Sequence, residues 1–285
     1  MTSPNSLIRR IATGTWLAAT ALTIAFPDAA QAGSAAKKDP ASAAVLASGA
    51  ETKKGAETKK DDDRWTVGAG AAWTPKFKGS DDYEIEPVPL VDVKYGRFFA
   101  RTGDGIGVNV LQTPVFAAGV AVNWMRGYDD DDVPDGVEGA DDALGARLFL
   151  SARFNGAVAT LEATQGVSDT DRGMTVGVGL AYPVHATDRL TLTPSLGVTW
   201  ANEKFMDGYF GIDGAEASSS GLRSYAPGSG FRDVTLRLSA RYRVTDSLSA
   251  VGSIGVSHLL DEAANSPLVE ERTQPLGLIG LTYSF

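Results

Sequence analysis

From Arg64 to Phe285 the chain is built of about twelve short segments in which apolar and polar side chains alternate, with turn-forming residues between them. Successive side chains of a strand point to opposite faces, so this period of two predicts strands with one apolar face each. The final segment places these residues on one face: Ile279, Leu281, Tyr283 and Phe285. No segment after residue 32 approaches the roughly 18 consecutive apolar residues of a membrane helix. A mature chain that enters a membrane must therefore do so with strands.

Charged residues within the segments fall on the face opposite the apolar one. Residues 234–243 show this well, since Arg237 and Arg241 alternate with Leu236, Leu238 and Ala240. A charge at the lipid midplane of a barrel costs roughly 2 to 4 kcal/mol, which favours a lipid-facing apolar surface and a polar lumen. The sequence thus predicts an antiparallel transmembrane β-barrel of about twelve strands, with ten as the alternative. We expect the charges on the lumen face to pair across a narrow interior, and a conducting pore is the alternative. The charged residues predicted to face the lumen are Asp92, Lys94, Arg147, Arg153, Glu162, Arg237, Arg241 and Arg243.

Connection lengths and aromatic spacing support the same architecture. Tight turns are predicted at Gly96, Thr113-Pro114, Asn155-Gly156, 185–188 and 245–247, and they alternate with long polar connections at 74–83, 127–142, 202–230 and 259–272. Short periplasmic turns and longer extracellular loops are typical of outer-membrane barrels. Trp65 and Trp73 are eight residues apart, which places them near the two edges of an apolar band about 25 Å tall.

The N-terminal part of the chain predicts export. Residues 1–32 combine Arg9 and Arg10, an apolar stretch and the small-residue triplet 30–32, as in a cleaved signal peptide. Residues 33–63 contain almost no large apolar side chains, so we expect a flexible periplasmic tail before the barrel at 64–285. The chain has no cysteine, which excludes disulfides and thiolate chemistry. Its formal net charge of -9 argues against nucleic acid as a partner.

Two loop sequences carry a resemblance to a known family. Residues 77–83 (Phe-Lys-Gly-Ser-Asp-Asp-Tyr), followed by Pro87 and Pro89, are similar to the first-loop signature of the MltA-interacting protein/OmpV family of outer-membrane proteins. Residues 209–212, together with Glu216-Ala217, Ser220-Gly221-Leu222 and Tyr225, resemble the long-loop signature of that family. The Tyr-Ser-Phe ending extends the match over the whole predicted barrel. Arg223 stands where the family usually has proline, so loop geometry is not carried over.

The resemblance implies a location and a role. It implies the outer membrane of a Gram-negative bacterium, contact with lipid and lipopolysaccharide, and recognition of Phe285 by the barrel-assembly machinery. It also implies a non-enzymatic scaffold that links a lytic transglycosylase to a peptidoglycan synthase. A narrow diffusion or uptake channel, or an adhesin, is the alternative. The family supplies no catalytic residues to carry over.

Residues that could support chemistry are few. His185 lies in a predicted turn, and His258 lies near Ser257 and Asp261. Neighbouring strand residues face opposite sides, so Ser257 and His258 are not expected to form a catalytic triad. We therefore predict no catalytic, cofactor-binding or metal-binding residues and no cofactor.

A dense group of carboxylates lies in the loop between Asp129 and Asp142. Oxygen ligands suit calcium or magnesium, but the run lacks the spacing of an EF-hand. A solvated, self-repelling loop is the expectation, and a divalent-cation site is the alternative.

Overall fold

The computed structural model describes residues 63–168 and 172–285, and in this part twelve strands close into one antiparallel barrel. The predicted signal peptide (1–32) and the predicted tail (33–63), apart from Asp63, lie outside the described residues. None of the helices among the described residues is long and apolar enough to span a bilayer.

Each strand pairs with its neighbours in chain order, and the seam is closed by the first and last strands. The strands are β1 (Arg64–Pro75), β2 (Tyr83–Tyr95), β3 (Phe98–Arg101), β4 (Gly105–Gln112), β5 (Phe116–Met125), β6 (Ala143–Phe154), β7 (Ala157–Gly166), β8 (Met174–Ala181), β9 (Val184–His185), β10 (Leu190–Ala201), β11 (Gly230–Arg243), β12 (Leu248–Leu259) and β13 (Thr273–Ser284). The two-residue β9 pairs with β10 just beyond β8, so β8 and β9 occupy one position in the wall. The prediction of about twelve strands is confirmed, and β9 was not predicted.

The seam follows the register that the sequence alternation requires. Val67 pairs with Tyr283, Ala69 with Leu281 and Ala71 with Ile279. Ile279 is 72% exposed on the outer face, whereas Leu278 is 3% exposed inside. A shift by one residue would turn the outward-facing Ile279, Leu281 and Tyr283 into the lumen, so the need to keep these side chains against lipid fixes the pairing.

Exposed aromatic residues form belts at both edges of the outer surface. Trp65, Tyr95 and Tyr283 lie at the end with the short turns, which we call the turn end. Trp73 and Trp124 lie at the end with the long connections, which we call the loop end, and Trp73 stacks on Tyr83 at 4.5 Å between ring centroids. Amphipathic rings at both edges of an apolar band match the headgroup levels of a bilayer.

The long connections are folded rather than irregular, which the sequence did not predict. The connection from β10 to β11 contains α1 (Glu203–Phe210) and α2 (Gly214–Ser220), and the connection from β12 to β13 contains α3 (Asp261–Ala264). Asn202 caps α1 by accepting a hydrogen bond from the backbone N of Phe205 at 3.0 Å. Asp213 and Glu216 form a capping box at the start of α2.

The outer face should not tolerate charge. Leu148 is 61% exposed in the middle of β6, so Leu148→Arg places a guanidinium against lipid tails and should lower the free energy of unfolding by roughly 2 to 4 kcal/mol. Ser151→Arg, which puts the same group into the lumen from the same strand, should cost much less. Urea titration in lipid vesicles measures both values. Equal losses would contradict the assigned faces.

Candidate functional site: the lumen and its lid

A chain of ion pairs runs along the inner wall from β1 to β7. The Asp92 carboxylate lies 2.7 Å from Arg64 Nη2 and 3.1 Å from Arg101 Nε. Arg101 Nη1 lies 3.8 Å from an oxygen of Asp104, in the β3–β4 turn, and Arg147 Nη2 reaches the other oxygen at 3.2 Å. Arg147 also donates to Glu162 of β7. Alternating signs stabilise each buried charge, which would be costly if left alone.

Two phenylalanines lie next to the ion pairs of this wall and shape the space around them. The rings of Phe99 and Phe149 meet edge to face with centroids 5.6 Å apart, and the guanidinium of Arg147 lies 5.4 Å from the Phe149 ring. Glycine is required at Gly107 and Gly119 because a Cβ there would approach these rings to 2.6 Å and 2.7 Å. The small residues of β4 and β5 thus leave the space across which Arg147 reaches Asp104.

The opposite wall, from β7 to β12, carries mostly small hydroxyl side chains, and its charged residues in the cavity lining are few: Glu162, Arg232, Asp233 and Arg237. Its inward positions include these residues: Thr160, Thr164, Thr175, Thr193, Ser195, Thr199, Thr235, Ser239 and Ser257. A cavity of about 850 Å³ lies between the two walls. The lumen is therefore divided into a charged side, a hydroxyl side and the space between them.

The long connections join above this cavity to form what we call the lid, residues 76–82, 126–142, 202–229 and 260–272. One buried apolar cluster takes members from all four connections: Phe77, Tyr128, Val133, Val137, Ala140, Ile212 and Leu268. The β1–β2, β5–β6 and β10–β11 connections leave the wall at intervals of four strands around the ring. Contacts between connections so far apart must cross the opening, so the lid spans the loop end of the barrel.

Polar contacts around Tyr209 of α1 join the lid segments to one another. Tyr128 donates to the Tyr209 carbonyl at 3.1 Å, and the Tyr209 hydroxyl donates to the Arg126 carbonyl. Arg172 donates to the same carbonyl at 3.1 Å, with its guanidinium 4.9 Å from the Tyr209 ring. Burial raises the pKa of Tyr128 and of Tyr209, because it penalises the phenolate. Both hydroxyls therefore remain donors at neutral pH.

Ion pairs attach the lid to the rim of the barrel. Arg126 forms contacts of 2.5 Å with Glu86 and 2.8 Å with Glu84, on β2. Burial would lower the pKa of Arg126, but these two carboxylates raise it overall. Lys78 lies 3.5 Å from Asp233, and burial lowers the pKa of Lys78 against the opposing effect of that carboxylate.

The serine, histidine and aspartate considered from the sequence do not form a triad in this structure. Ser257 is buried in the lumen, where its Oγ lies 3.1 Å from Thr235 Oγ1. His258 is exposed on the outer side, with Nδ1 2.8 Å from Thr273 Oγ1. The alternation of strand side chains therefore separates the two residues as predicted. His185 is exposed but belongs to β9 rather than to a turn, which corrects the prediction.

The acidic loop is more ordered than the sequence predicted. Asp130 accepts a hydrogen bond from the backbone N of Gly139 at 2.7 Å, and Asp142 accepts one from Gly127 at 2.7 Å. Asp132 lies 3.6 Å from Lys76. Several carboxylates thus hold the loop in shape instead of only repelling one another. Within 63–168 and 172–285 no group of three or more histidine or acidic side chains is arranged to hold a metal.

Sequence reasoning found part of the lumen network. The expected pairing is confirmed for Asp92, Arg147 and Glu162, but Arg243 is exposed at the turn end, where it donates to the Asp188 carbonyl. Arg101 and Asp104 were missed because they lie in a short hairpin whose pattern gives no inward direction. The loop-end pairs of Arg126 were missed because they depend on how the lid folds.

A closed wall with an apolar outer band, aromatic edges and a charged interior defines an outer-membrane β-barrel with a folded lid. Residues 67–285 match the family described as MltA-interacting protein MipA, and the chain belongs to that family. This confirms the resemblance found in the loops.

Named relatives agree with the outer-membrane location. The chain is 26% identical over 228 residues to the MltA-interacting protein of Escherichia coli strain K12, covering 79% of this chain and 91% of that protein. It is 25% identical over 226 residues to the putative outer membrane protein YiaT of Escherichia coli O157:H7, covering 77% and 90%. Among solved structures, the NanC porin aligns with a TM-score of 0.43 at 10% identity, covering 77% of this chain and 98% of that one.

The Arg147 contacts should make a measurable contribution to stability. Arg147→Gln leaves Asp104 and Glu162 without their shared cation at a site where the arginine is only 5% exposed. Breaking a buried pair in this way should lower the free energy of unfolding by about 3 kcal/mol. Arg97→Gln, at an exposed turn position, should change it by less than about 0.5 kcal/mol. Urea unfolding of both variants provides the comparison, and an unchanged Arg147→Gln protein would refute the role of the network.

Proposed function

We propose that this protein is a non-enzymatic outer-membrane scaffold that holds a lytic transglycosylase of the MltA type at the periplasmic surface of the outer membrane. A peptidoglycan synthase is the second partner that we propose. The family description and the name of the Escherichia coli relative support the first partner. The folded lid is the observation that carries the proposal.

The lid favours an anchor over an open diffusion pore. Connections that leave the wall four strands apart share one buried cluster across the loop end, so free passage along the barrel axis would require that cluster to separate. The outer face of the barrel contacts lipid and is not available to a periplasmic protein. The surfaces left for a periplasmic partner are the turn end and the chain that precedes β1.

The turn end offers charged contact points. Arg97, Arg189 and Arg243 are exposed there together with Asp63, Asp188 and Asp246, whereas the exposed charges of the β5–β6 connection are all acidic. Arginine side chains at a rim can pair with carboxylates of a partner and raise the rate of encounter. A partner that docks at the turn end should therefore place carboxylates against these three arginines.

Co-purification from detergent-solubilised envelopes tests this proposal. Replacing Arg97, Arg189 and Arg243 together with glutamate should reduce recovery of the lytic transglycosylase by about tenfold or more, because each contact would change from attraction to repulsion. The matched control replaces three exposed loop-end acids, Asp131, Asp135 and Glu138, with lysine. Recovery should stay unchanged in that control. No transglycosylase recovered with the wild-type chain would refute the scaffold proposal.

A narrow uptake channel is the second candidate, and the 850 Å³ cavity favours it. Planar-bilayer recordings separate the two candidates. The wild-type protein should show no stable conductance, and a variant with residues 203–220 replaced by a short glycine-serine linker should conduct because α1 and α2 no longer cross the opening. Stable conductance by the wild-type barrel would favour the channel instead.

A further inference from the structure

Two glycines lie side by side on the lumen face of β8 and β10. Gly179 pairs with Gly197 across the two strands, and both line the cavity of about 850 Å³. A Cβ built on either glycine meets no atom closer than 3.9 Å, so a side chain there would extend into open space. The hydroxyl wall therefore has a recess at this pair, which we call the glycine recess, and its floor is bare backbone.

The glycine recess lies between two groups of hydroxyl side chains. All of them line the cavity: Thr193, Ser195 and Ser239 towards the turn end, and Thr164, Thr175 and Thr199 towards the loop end. Cross-strand pairing places Thr193 beside Ser239 and Thr164 beside Thr175. Ser195 and Thr199 are four residues apart on β10, which corresponds to roughly 13 Å along a strand.

These six hydroxyls are available to a ligand. Within residues 63–168 and 172–285, no hydrogen bond joins any of them to another side chain or to the backbone. Other hydroxyls of the same wall are paired, as Thr235 is with Ser257 at 3.1 Å. Thr164 and Thr193 are each only 7% exposed and line the cavity, so a molecule inside the lumen must satisfy them.

The charged residues of the cavity lining already have partners. Its three acidic residues pair with arginine or lysine, and its basic residues are engaged as well. A charged ligand would lose its hydration here without gaining a free counter-charge, which is costly. The cavity therefore favours an uncharged ligand.

The free groups of the cavity indicate the chemistry of that ligand. Hydroxyls both donate and accept hydrogen bonds, which suits a molecule with many hydroxyls of its own. A floor without Cβ atoms lets a ring approach the backbone closely. The spacing of the two hydroxyl groups exceeds the length of one sugar ring, and the cavity volume falls within the range of roughly 300 to 1,000 Å³ that holds small molecules.

From these observations we propose that the glycine recess binds a neutral disaccharide. The sugar rings would lie against the bare backbone of Gly179 and Gly197, and hydroxyls at the two ends of the molecule would bond to the two hydroxyl groups of the wall. The lid covers the loop end, so the ligand would enter from the turn end, to which the lining extends at Thr113 and Pro114. This site is separate from the turn-end arginines proposed for a protein partner, and either proposal can fail without the other.

Isothermal titration calorimetry on the purified full barrel tests the class of ligand. The probes are cellobiose and maltose, with glucose as a single-ring control and cellobiouronic and maltobiouronic acid as the matched charged forms. At least one neutral disaccharide should bind about tenfold more tightly than glucose, which reaches only one of the two hydroxyl groups. Its acidic form should bind more weakly, and raising the salt from about 0.1 to about 1 M should leave neutral binding unchanged.

Three results would overturn the proposal. The first is no heat with either neutral disaccharide at two temperatures. The second is tighter binding of an acidic form than of its neutral parent. The third is equal affinity for glucose and for both disaccharides.

A pair of glycine variants tests the location of the ligand. Gly197→Leu fills the glycine recess and should abolish binding, because the added side chain occupies the place of the sugar ring. Gly277→Leu is the matched control on β13, outside the cavity lining, where a Cβ would meet no atom closer than 3.8 Å. Binding should be normal in that control.

A pair of threonine variants tests the hydroxyl contacts. Thr193→Val keeps the shape of the side chain and removes one hydroxyl, so it should weaken binding about fivefold. Thr191→Val, on the same strand but outside the cavity lining, should leave the affinity unchanged.

Circular dichroism and the heat-dependent gel shift of a folded barrel confirm folding of each variant before titration. Full binding by a folded Gly197→Leu protein would place the ligand elsewhere and overturn the assignment. Equal affinities of the Thr193→Val and Thr191→Val proteins would refute the contact with the hydroxyl wall.

Discussion

Closure of β1 on β13 is the constraint on which the rest of the structure depends. Inside a bilayer no water is available to satisfy an exposed strand edge, so an open sheet would carry a large free-energy cost. The closed ladder removes every edge and fixes the register of each strand at the same time. Once the register is fixed, the alternation in the sequence decides which side chains face lipid and which face the lumen. The ion pairs of the β1–β7 wall, the hydroxyl wall and the lid all depend for their positions on the pairing of β1 with β13.

The lumen shows how different inner faces divide one enclosed space. On the β1–β7 side, long charged side chains pair with one another over two phenylalanine rings, and Gly107 and Gly119 leave the room they need. On the β8–β12 side, most inward positions are serine, threonine or glycine, and the charged exceptions lie on β11. A barrel of twelve strands is wider than one that side chains fill completely. This uneven filling is why a cavity remains beside the ion pairs of the β1–β7 wall.

The sequence predicts the wall of this protein far better than its interior or its lid. A period of two reports directly on which face a residue occupies, so the faces of residues such as Leu148, Arg147 and Ile279 follow from local pattern alone. Arg101 and Asp104 escaped prediction because they lie in a short hairpin whose pattern gives no inward direction, and because Asp104 meets Arg147 across strands distant in the chain. The helices of the lid are shorter than isolated helices need for stability, so they form through contacts between connections. Such contacts leave almost no local signal, although the loop motifs of residues 77–83 and 209–212 pointed to that region through family resemblance.

The spacing of the lid attachments has a mechanical consequence. Three of its four connections leave the wall at equal intervals of four strands, and all four meet at one cluster. A flap held at one side can swing open about a hinge, but a cover held from three sides cannot tilt away without lengthening or unfolding a support. Partial opening should therefore be rare, and release of the lid should be a cooperative event in which its four connections loosen together. The lid should therefore block entry of small molecules from the outer side at all times instead of opening transiently to admit them.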